Sequence, residues 1–306
     1  MSSYLRLVRW PNLLMMGLIF LLVKTQLVDP ISALAGVESC LTTLHWVLMA
    51  LATVLIAASG NVVNDIFDQS IDFQNRPQTV VVGNVIPEAT AWNLYYALGS
   101  IGLAIGMFLC WQLGNISNSL IFMLCAGGLY FYSYSYKRQF LIGNLVVAFL
   151  AAVMLALPLY MEMMCAPGEW MQLPWAPMLV ALGFFSFLTT LIREMIKDME
   201  DLKGDQFAGS STIPITIGIR NSKILVLLLL GVLIGAIGSL QLAWLSEKDW
   251  LMTSYFFIAT QIPAVIVGYQ VIRSQKPADF HFASTVTKVL MLGGILSLVV
   301  FRFTLQ

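Results

Sequence analysis

Charged side chains are scarce in this sequence. Only 10% of the 306 residues are Asp, Glu, Lys or Arg, whereas an average soluble domain has about a quarter. Sixteen basic and sixteen acidic residues cancel to a net charge of zero, so the chain lacks the basic surface that binds nucleic acid. Hydrophobic residues make up 59% of the chain, and the mean hydropathy is +0.83. Because charge is expensive in hydrocarbon, this composition predicts an integral membrane protein that binds no nucleic acid.

Cysteine and histidine are too few and too scattered to suggest a metal site or a catalytic triad. The two histidines, His45 and His281, lie far apart in the sequence. None of the four cysteines belongs to a Cys-x-x-Cys pair, and most lie in or beside apolar runs. They are Cys40, Cys110, Cys125 and Cys165. A disulfide framework is poorly supported, and we expect small buried hydrophobic side chains instead.

Long apolar runs dominate the sequence. A membrane-spanning helix needs about 20 mostly apolar residues. We find nine such runs, near residues 11–29, 42–60, 91–112, 115–133, 142–163, 175–192, 223–244, 250–272 and 283–303. No clean cleavage site follows the first run, so we expect it to be retained as a helix. The sequence predicts an all-α fold of nine transmembrane helices in one domain, residues 1–306.

The distribution of Lys and Arg predicts the orientation in the membrane. With the N-terminus inside, twelve of the sixteen basic residues fall in cytoplasmic segments and three on the other side, as the positive-inside rule requires. The remaining one, Lys288, lies within the ninth apolar run. Both long polar loops, 61–90 and 193–222, then face the cytoplasm. We therefore expect a multi-pass protein of the cell membrane.

Acidic residues concentrate in two short segments of these loops, 61–72 and 193–205, which hold eight of the sixteen. In the first loop Asp65, Asp68 and Asp72 have the spacing i, i+3, i+7, which places them on one face of a helix. Asn61 and Asn64 lie nearby, and the residues between them are mostly apolar. This pattern predicts a helix end that carries an acidic stripe.

The second loop repeats the pattern four helices later. Its acids are Glu194, Asp198, Asp201 and Asp205, at i, i+4, i+7 and i+11, with Lys197 among them. Like charges at such spacing repel, so each stripe needs a counter-charge. Carboxylates at a water-filled cavity suit Mg²⁺, which binds one or two of them together with substrate phosphates. Two further interpretations stay open at this point: ordinary solvated loop acids, and the cation pathway of a transporter.

Three motifs resemble the signatures of the UbiA-type prenyltransferases. The first is Asn64-Asp65-x-x-Asp68-x-x-x-Asp72 followed by Asn75-Arg76-Pro77, and the second is Lys197-Asp198-x-x-Asp201-x-x-x-Asp205. Between them, Tyr132-Ser133-x-x-Tyr136-Lys137-Arg138 is similar to the family's Tyr/Lys motif. Arg9 and Asn12 in the first helix also fit. The resemblance covers essentially the whole chain.

The resemblance implies nine helices around a central cavity, with cytoplasmic cap loops, and Mg²⁺-dependent transfer of a prenyl group from a polyprenyl diphosphate. One metal ion would be held by Asp65, Asp68 and Asp72, and a second by Asp198, Asp201 and Asp205. Asn61 and Asn64 would ligate or orient the first set. The diphosphate would be clamped by four cations, namely Arg76, Lys137, Arg138 and Lys197. Arg9 would bind an anionic group of the acceptor, and Phe67, Tyr132 and Tyr136 would shield the allylic cation.

The sequence of the second motif, Arg193-Glu194-Met-Ile-Lys197-Asp198, is most similar to the corresponding sequence of the family members that prenylate a glycerol-phosphate ether lipid. We therefore expect a lipid acceptor and a geranylgeranyl donor, with an aromatic or quinone-precursor acceptor as the alternative. One segment departs from many relatives, which have Arg-Pro-Ile-Pro-Ser-Gly after the first motif. Here Pro77 is followed by Gln-Thr-Val-Val-Val-Gly83, so Arg76 is the only cation of that loop.

Overall fold

A computed structural model describes residues 3–75, 78, 80–165 and 173–304. Within these ranges, nine helices are long and apolar enough to cross a membrane. They are α1 (Trp10–Ala35), α2 (Thr43–Phe67), α4 (Glu88–Gln112), α5 (Ile116–Tyr134), α6 (Ile142–Cys165), α7 (Ala176–Glu200), α9 (Ile213–Ser246), α10 (Trp250–Arg273) and α11 (Pro277–Thr304). The predicted all-helical membrane fold is confirmed, with one helix for each predicted run.

Three helices extend seven or more residues beyond their apolar runs, into the two long polar loops. Helix α2 continues through Phe67, α7 continues through Glu200, and α9 begins at Ile213. Two short helices follow the first two of these, α3 (Gln69–Asn75) and α8 (Leu202–Phe207). The acidic motifs therefore lie on helix ends and short helices, because their polar residues occupy only one face and leave the other face apolar.

The two halves of the chain repeat one local structure. Helix α2 ends before Asp68, which has φ −93° and ψ −1°, and α7 ends before Asp201, which has φ −93° and ψ 10°. The amide of Asp72 then donates to the Asp68 carbonyl, and the amide of Asp205 donates to that of Asp201. Each motif thus turns a corner at its middle aspartate and continues as a short helix across the end of the bundle.

The expectation that every cysteine is an isolated buried thiol is wrong for two of the four. Cys40 and Cys165 form a disulfide, with Cα atoms 6.4 Å apart. It joins the α1–α2 loop to the end of α6, at the opposite end of the bundle from the acidic motifs. The two cysteines are 125 residues apart in sequence, so no local sequence pattern predicts that they pair. Cys110 and Cys125 are free thiols.

Helices α10 and α11 approach most closely at Gly293. A Cβ atom built on Gly293 would lie 2.3 Å from the carbonyl oxygen of Ala259. The hydroxyl of Tyr255 also donates to the Gly293 carbonyl, at 2.7 Å. Small residues permit this kind of backbone contact between membrane helices.

We predict that Gly293→Ala destabilises the protein by about 1–3 kcal/mol, because the methyl group overpacks the α10–α11 contact. Gly235→Ala is the matched control, since its Cβ meets nothing within 4 Å and alanine favours a helix over glycine. Thermal unfolding of the detergent-solubilised protein measures both. Equal melting temperatures for the two variants would contradict the prediction.

Candidate active site

The first acidic motif is held by cations and amides from three parts of the chain. Arg9 donates from Nη2 to Oδ1 of Asp65, at 2.8 Å. Asn64 donates to Oδ2 of Asp68, at 2.8 Å, and the ammonium of Lys137 forms an ion pair with Oδ1 of the same residue. The carboxylates of Asp65 and Asp68 are therefore partly neutralised.

The second acidic motif is held by neutral donors and by its own cations. The amide of Asn144, at the start of α6, donates to Oδ2 of Asp198 at 2.8 Å. The hydroxyl of Thr212 donates to Oδ2 of Asp205 at 3.3 Å. Glu194, in the turn before Asp198, accepts from Arg193 at 2.7 Å and from Lys197 at 3.3 Å.

The fold brings the two motifs together. Helices α3 and α8 pack against each other, and the carboxylate of Asp205 lies within electrostatic range of Asp68 and Lys137. Arg9 likewise lies within electrostatic range of Asp68 and Glu194. Acids from both halves of the chain therefore share one cap at the end of the bundle.

Crowding at this cap changes the acidity of its outer carboxyl groups. Burial, with the neighbouring charges of Asp68 and Asp65, raises the pKa of Asp72 to about 6. Burial, with the charge of Asp201, raises the pKa of Asp205 to about 6. Burial also lowers the pKa of Lys137, against the opposing attraction of Asp68. A cation bound among these close carboxylates would relieve the repulsion between them.

A short turn, Tyr136–Arg138, links both motifs. The guanidinium of Arg138 lies 3.4 Å from the carbonyl oxygen of Phe67, at the end of α2. Its own carbonyl accepts from the amide of Ser211, which precedes α9, at 2.7 Å. Nε of Arg138 is buried and has no hydrogen-bond partner in the described part of the chain. The turn is thereby anchored to both halves and keeps a donor free at the cap.

Several residues predicted for the site have other contacts. The side-chain amide of Asn61 donates to the Val8 carbonyl, at 2.9 Å, and so holds the N-terminal segment. The Phe67 ring packs edge-on against Trp92, Tyr130 and Tyr134, with centroids 5.5–5.8 Å away. A helix pattern gives the face of a residue but not its neighbour, so the sequence does not predict these contacts. The roles of Asn61 in orienting the acids and of Phe67 as a shield stay predictions.

The remaining predicted residues divide into three groups. Tyr132 lies in the last turn of α5, within electrostatic range of Asp68 and Asp198, so it borders the cap. Tyr136 is half-buried beside the Phe131 ring, and Asn12 is exposed in the first turn of α1. Arg76 lies outside the residues that the structure describes. For all three groups, binding of substrate stays a prediction.

An apolar cavity of about 330 Å³ lies in the bundle below the acidic cap. Its walls come from α1, α2, α5, α6, α7 and α11, and include Ile56, Phe122, Leu129 and Phe185. Thr190 also lines it, one helical turn before Glu194, so the cavity begins directly under the acids. A hydrocarbon chain fits such walls, and a charged group at its end would meet the cap.

Among the described residues, one compact group of residue types that can bind metal lies away from the cap, but its two cysteines form the disulfide and are not free to bind an ion. It consists of Cys40, Glu162 and Cys165, whose ligand atoms lie within 4.8 Å of one another. The carboxylate of Glu162 accepts from Ser39 and from the amide of Cys40, each at 2.9 Å. The six aspartates are more widely spread, as expected where phosphate oxygens complete the coordination.

Comparison with known proteins agrees with this arrangement. Residues 30–286 match the model of the UbiA prenyltransferase family. Among curated relatives, the digeranylgeranylglyceryl phosphate synthase of Thermococcus kodakarensis is 29% identical over 94% of this chain and 93% of that protein. The synthase of Metallosphaera sedula is 32% identical over a shorter stretch, 58% of this chain and 57% of that protein.

Two solved structures share the fold. A digeranylgeranylglyceryl phosphate synthase superposes with a TM-score of 0.63 at 22% identity, over 99% of this chain and 98% of that one. A UbiA homolog from Archaeoglobus fulgidus, bound to DMAPP and Mg²⁺, superposes with a TM-score of 0.58 at 16% identity, over 97% and 99%. With its nine membrane helices and paired acidic motifs, this chain belongs to the UbiA prenyltransferase family.

Proposed function

We propose that this protein transfers a geranylgeranyl group from its diphosphate to the free hydroxyl of geranylgeranylglyceryl phosphate, and releases pyrophosphate. The observation that carries the proposal is the acidic cap, drawn from both halves of the chain, over an apolar cavity. The similarity to curated digeranylgeranylglyceryl phosphate synthases over most of the chain supports this acceptor. An aromatic acceptor is the alternative.

The cap suits Mg²⁺ by the chemistry of its donors. Hard cations bind carboxylate oxygens, and burial together with neighbouring carboxylates raises the pKa values of Asp72 and Asp205. We assign Asp65, Asp68 and Asp72 to one ion and Asp198, Asp201 and Asp205 to a second. When bound, Mg²⁺ neutralises the charge that develops on the departing pyrophosphate. The Mg²⁺ bound to the Archaeoglobus fulgidus homolog supports this assignment.

The chain's own residues bind and orient the diphosphate. Lys137 and Arg138 stand on the Tyr136–Arg138 turn at the cap, and the free Nε of Arg138 offers a donor to a phosphate oxygen. Charge-assisted hydrogen bonds from Arg are strong and directional. The apolar cavity takes the prenyl chain and keeps water from the allylic carbon, so that the acceptor hydroxyl is the nucleophile that reaches it.

We infer that the cap faces the cytoplasm. Twelve of the sixteen basic residues fall on the cap side of the bundle by the sequence count, as the positive-inside rule requires. The Cys40–Cys165 disulfide lies at the other end, and disulfides persist in oxidising compartments. Alkylation of Cys residues introduced at the two ends, in intact cells and in inverted vesicles, tests the orientation.

Asp68→Asn and Asp201→Asn are expected to lower kcat for prenyl transfer at least about 100-fold, since each removes a carboxylate assigned to a Mg²⁺ ion that would stabilise the leaving group. Glu247→Gln, an exposed acid at the opposite end of the bundle, is the control and is expected to keep full activity. The assay offers geranylgeranyl diphosphate and a panel of acceptors to the purified protein and identifies the product by mass spectrometry. Full turnover by both aspartate variants would overturn the proposal, and a prenylated aromatic product would replace the lipid acceptor.

Activation by Mg²⁺ is expected to weaken as the pH falls through about 6. The pKa values of Asp72 and Asp205 are about 6, so both groups are ionised at pH 7.5 and become protonated below pH 6. Protonated carboxyls do not bind the metal. The Mg²⁺ concentration for half-maximal rate is therefore expected to rise by up to about tenfold per pH unit for each carboxylate. A constant half-maximal concentration from pH 7.5 to 5.5 would contradict the assignment of these ligands.

Gly143→Ala is expected to lower kcat by displacing Lys137. A Cβ atom on Gly143 would lie 2.5 Å from Cα of Lys137 and 2.8 Å from the Tyr136 carbonyl oxygen, so the backbone of the turn must move. Gly127→Ala is the control, because nothing lies within 4 Å of its Cβ. A shift of about 1 Å at a catalytic group lowers the reaction rate about 100-fold. The kcat of Gly143→Ala is therefore expected to fall well below that of Gly127→Ala. If both retain the wild-type rate, the turn does not position Lys137 for catalysis.

A further inference from the structure

Helices α7 and α11 pack against each other in opposite directions, and one contact gives their register. Nδ1 of His281 lies 3.0 Å from Oε1 of Glu200. Seven residues along each helix is about two turns, or about 10 Å, and returns to nearly the same face. The residue seven positions after His281 therefore faces the residue seven positions before Glu200. These residues are Lys288 and Arg193.

Two cations thus face each other across this helix pair, below the level of its ends. The charge of Lys288 lies within electrostatic range of Arg193 and Lys197. Lys288 makes no hydrogen bond or ion pair with any residue that the structure describes, and it is exposed on the bundle surface. Nε of Arg193 is buried and also has no hydrogen-bond partner there.

Nearby acids balance this charge only in part, although Glu194 and Glu200 both lie within electrostatic range of Lys288. Glu194 accepts from both Arg193 and Lys197. This single carboxylate is therefore already paired with two cations, and Lys288 is a third. Glu200 pairs with His281, about two turns away. Like charges held together favour an anion between them. Ionisable groups at membrane depth are costly and usually mark a ligand or a pathway.

The cation pair also borders the acidic cap. Glu194 directly follows Arg193 and is one helical turn from Asp198, and its charge interacts with that of Arg9. Arg9, predicted from the sequence to bind the acceptor's anionic group, already forms an ion pair with Asp65. Lys288 instead offers an ammonium group without a partner among the described residues, on the exposed surface of the bundle. Arg193 lies within its electrostatic range, although one nitrogen of the Arg193 guanidinium is paired with Glu194.

We propose that Arg193 and Lys288 bind the phosphate monoester of the acceptor lipid, with Lys197 at the edge of the same site. The proposal rests on the proposed function and names the place of its second substrate. The headgroup enters between α7 and α11, and its glycerol extends toward Asp198, which lies five residues, or about 7.5 Å, nearer the cap along α7. Lys288 explains how a monophosphate is bound close to a cap that repels it.

Lys288→Gln is expected to raise the KM for geranylgeranylglyceryl phosphate about tenfold, which is the usual loss for one hydrogen bond to a charged group. The KM for geranylgeranyl diphosphate and kcat are expected to stay unchanged, and Lys288→Arg is expected to restore the acceptor KM. Lys276→Gln, which removes a cytoplasmic-side lysine near the start of α11, is the control for loss of one charge. Geranylgeranylglycerol, which lacks the phosphate, is expected to react equally with the wild type and Lys288→Gln.

The acceptor KM and the transfer reaction together distinguish failure of the phosphate site from failure of the proposed function. If the wild type transfers the prenyl group and Lys288→Gln keeps its acceptor KM, the phosphate site is overturned while the proposed function stands. If the wild type transfers nothing to this acceptor, both fail. Stability in nanodiscs with and without phosphatidic acid distinguishes a structural lipid. A Lys288-dependent rise in melting temperature with phosphatidic acid, at unchanged acceptor KM, would mean that the site binds bulk anionic lipid instead of the acceptor. Competition of inorganic phosphate with the acceptor would mean that the site binds the free anion.

Discussion

Repulsion between carboxylates at the edge of the hydrocarbon is the constraint on which the rest of this structure depends. Each acidic motif continues a membrane helix to its middle aspartate, Asp68 or Asp201, and then turns at nearly the same backbone angles. Had the helices run straight, the acids would have left the bundle along their axes. The turn lays the second half of each motif across the bundle end, where Asp72 and Asp205 share one cap.

The groups that offset this repulsion come from segments distant in sequence, and they couple the two halves. Arg9 reaches Asp65, while Lys137 reaches Asp68 from the turn between α5 and α6. That turn also contacts the end of α2 and the start of α9 through Arg138. A substrate that moves this turn therefore acts on both motifs at once. The cap behaves as one electrostatic unit, so single charge removals within it are not expected to be additive.

The sequence predicts the helices well because a membrane imposes a length of about 20 apolar residues on each. It also predicts the acidic faces, since the spacing of Asp65, Asp68 and Asp72 is a property of the helix alone. It does not predict the partners of those acids. The Arg9–Asp65, Asn144–Asp198 and Cys40–Cys165 pairs are 56, 54 and 125 residues apart, and no local pattern encodes such contacts. The contacts of Asn61 with the Val8 carbonyl and of Phe67 with the Trp92 ring are not predicted for the same reason.

The proposed reaction requires two anions, a diphosphate and a monophosphate, to bind beside one cap of acids, and the same binding groups do not suit both. A diphosphate enters an acidic cap when metal ions bridge the two sets of negative charge. A monophosphate that carries no metal is repelled by the same cap and needs cations outside it. Arg9 and Lys137 are paired with cap acids, whereas Lys288 is paired with none of the described residues. Because the paired cations lie at the cap and the unpaired cation lies outside it, the proposal gives the diphosphate and the acceptor phosphate separate binding sites. The acceptor is thereby kept out of the site of the leaving group.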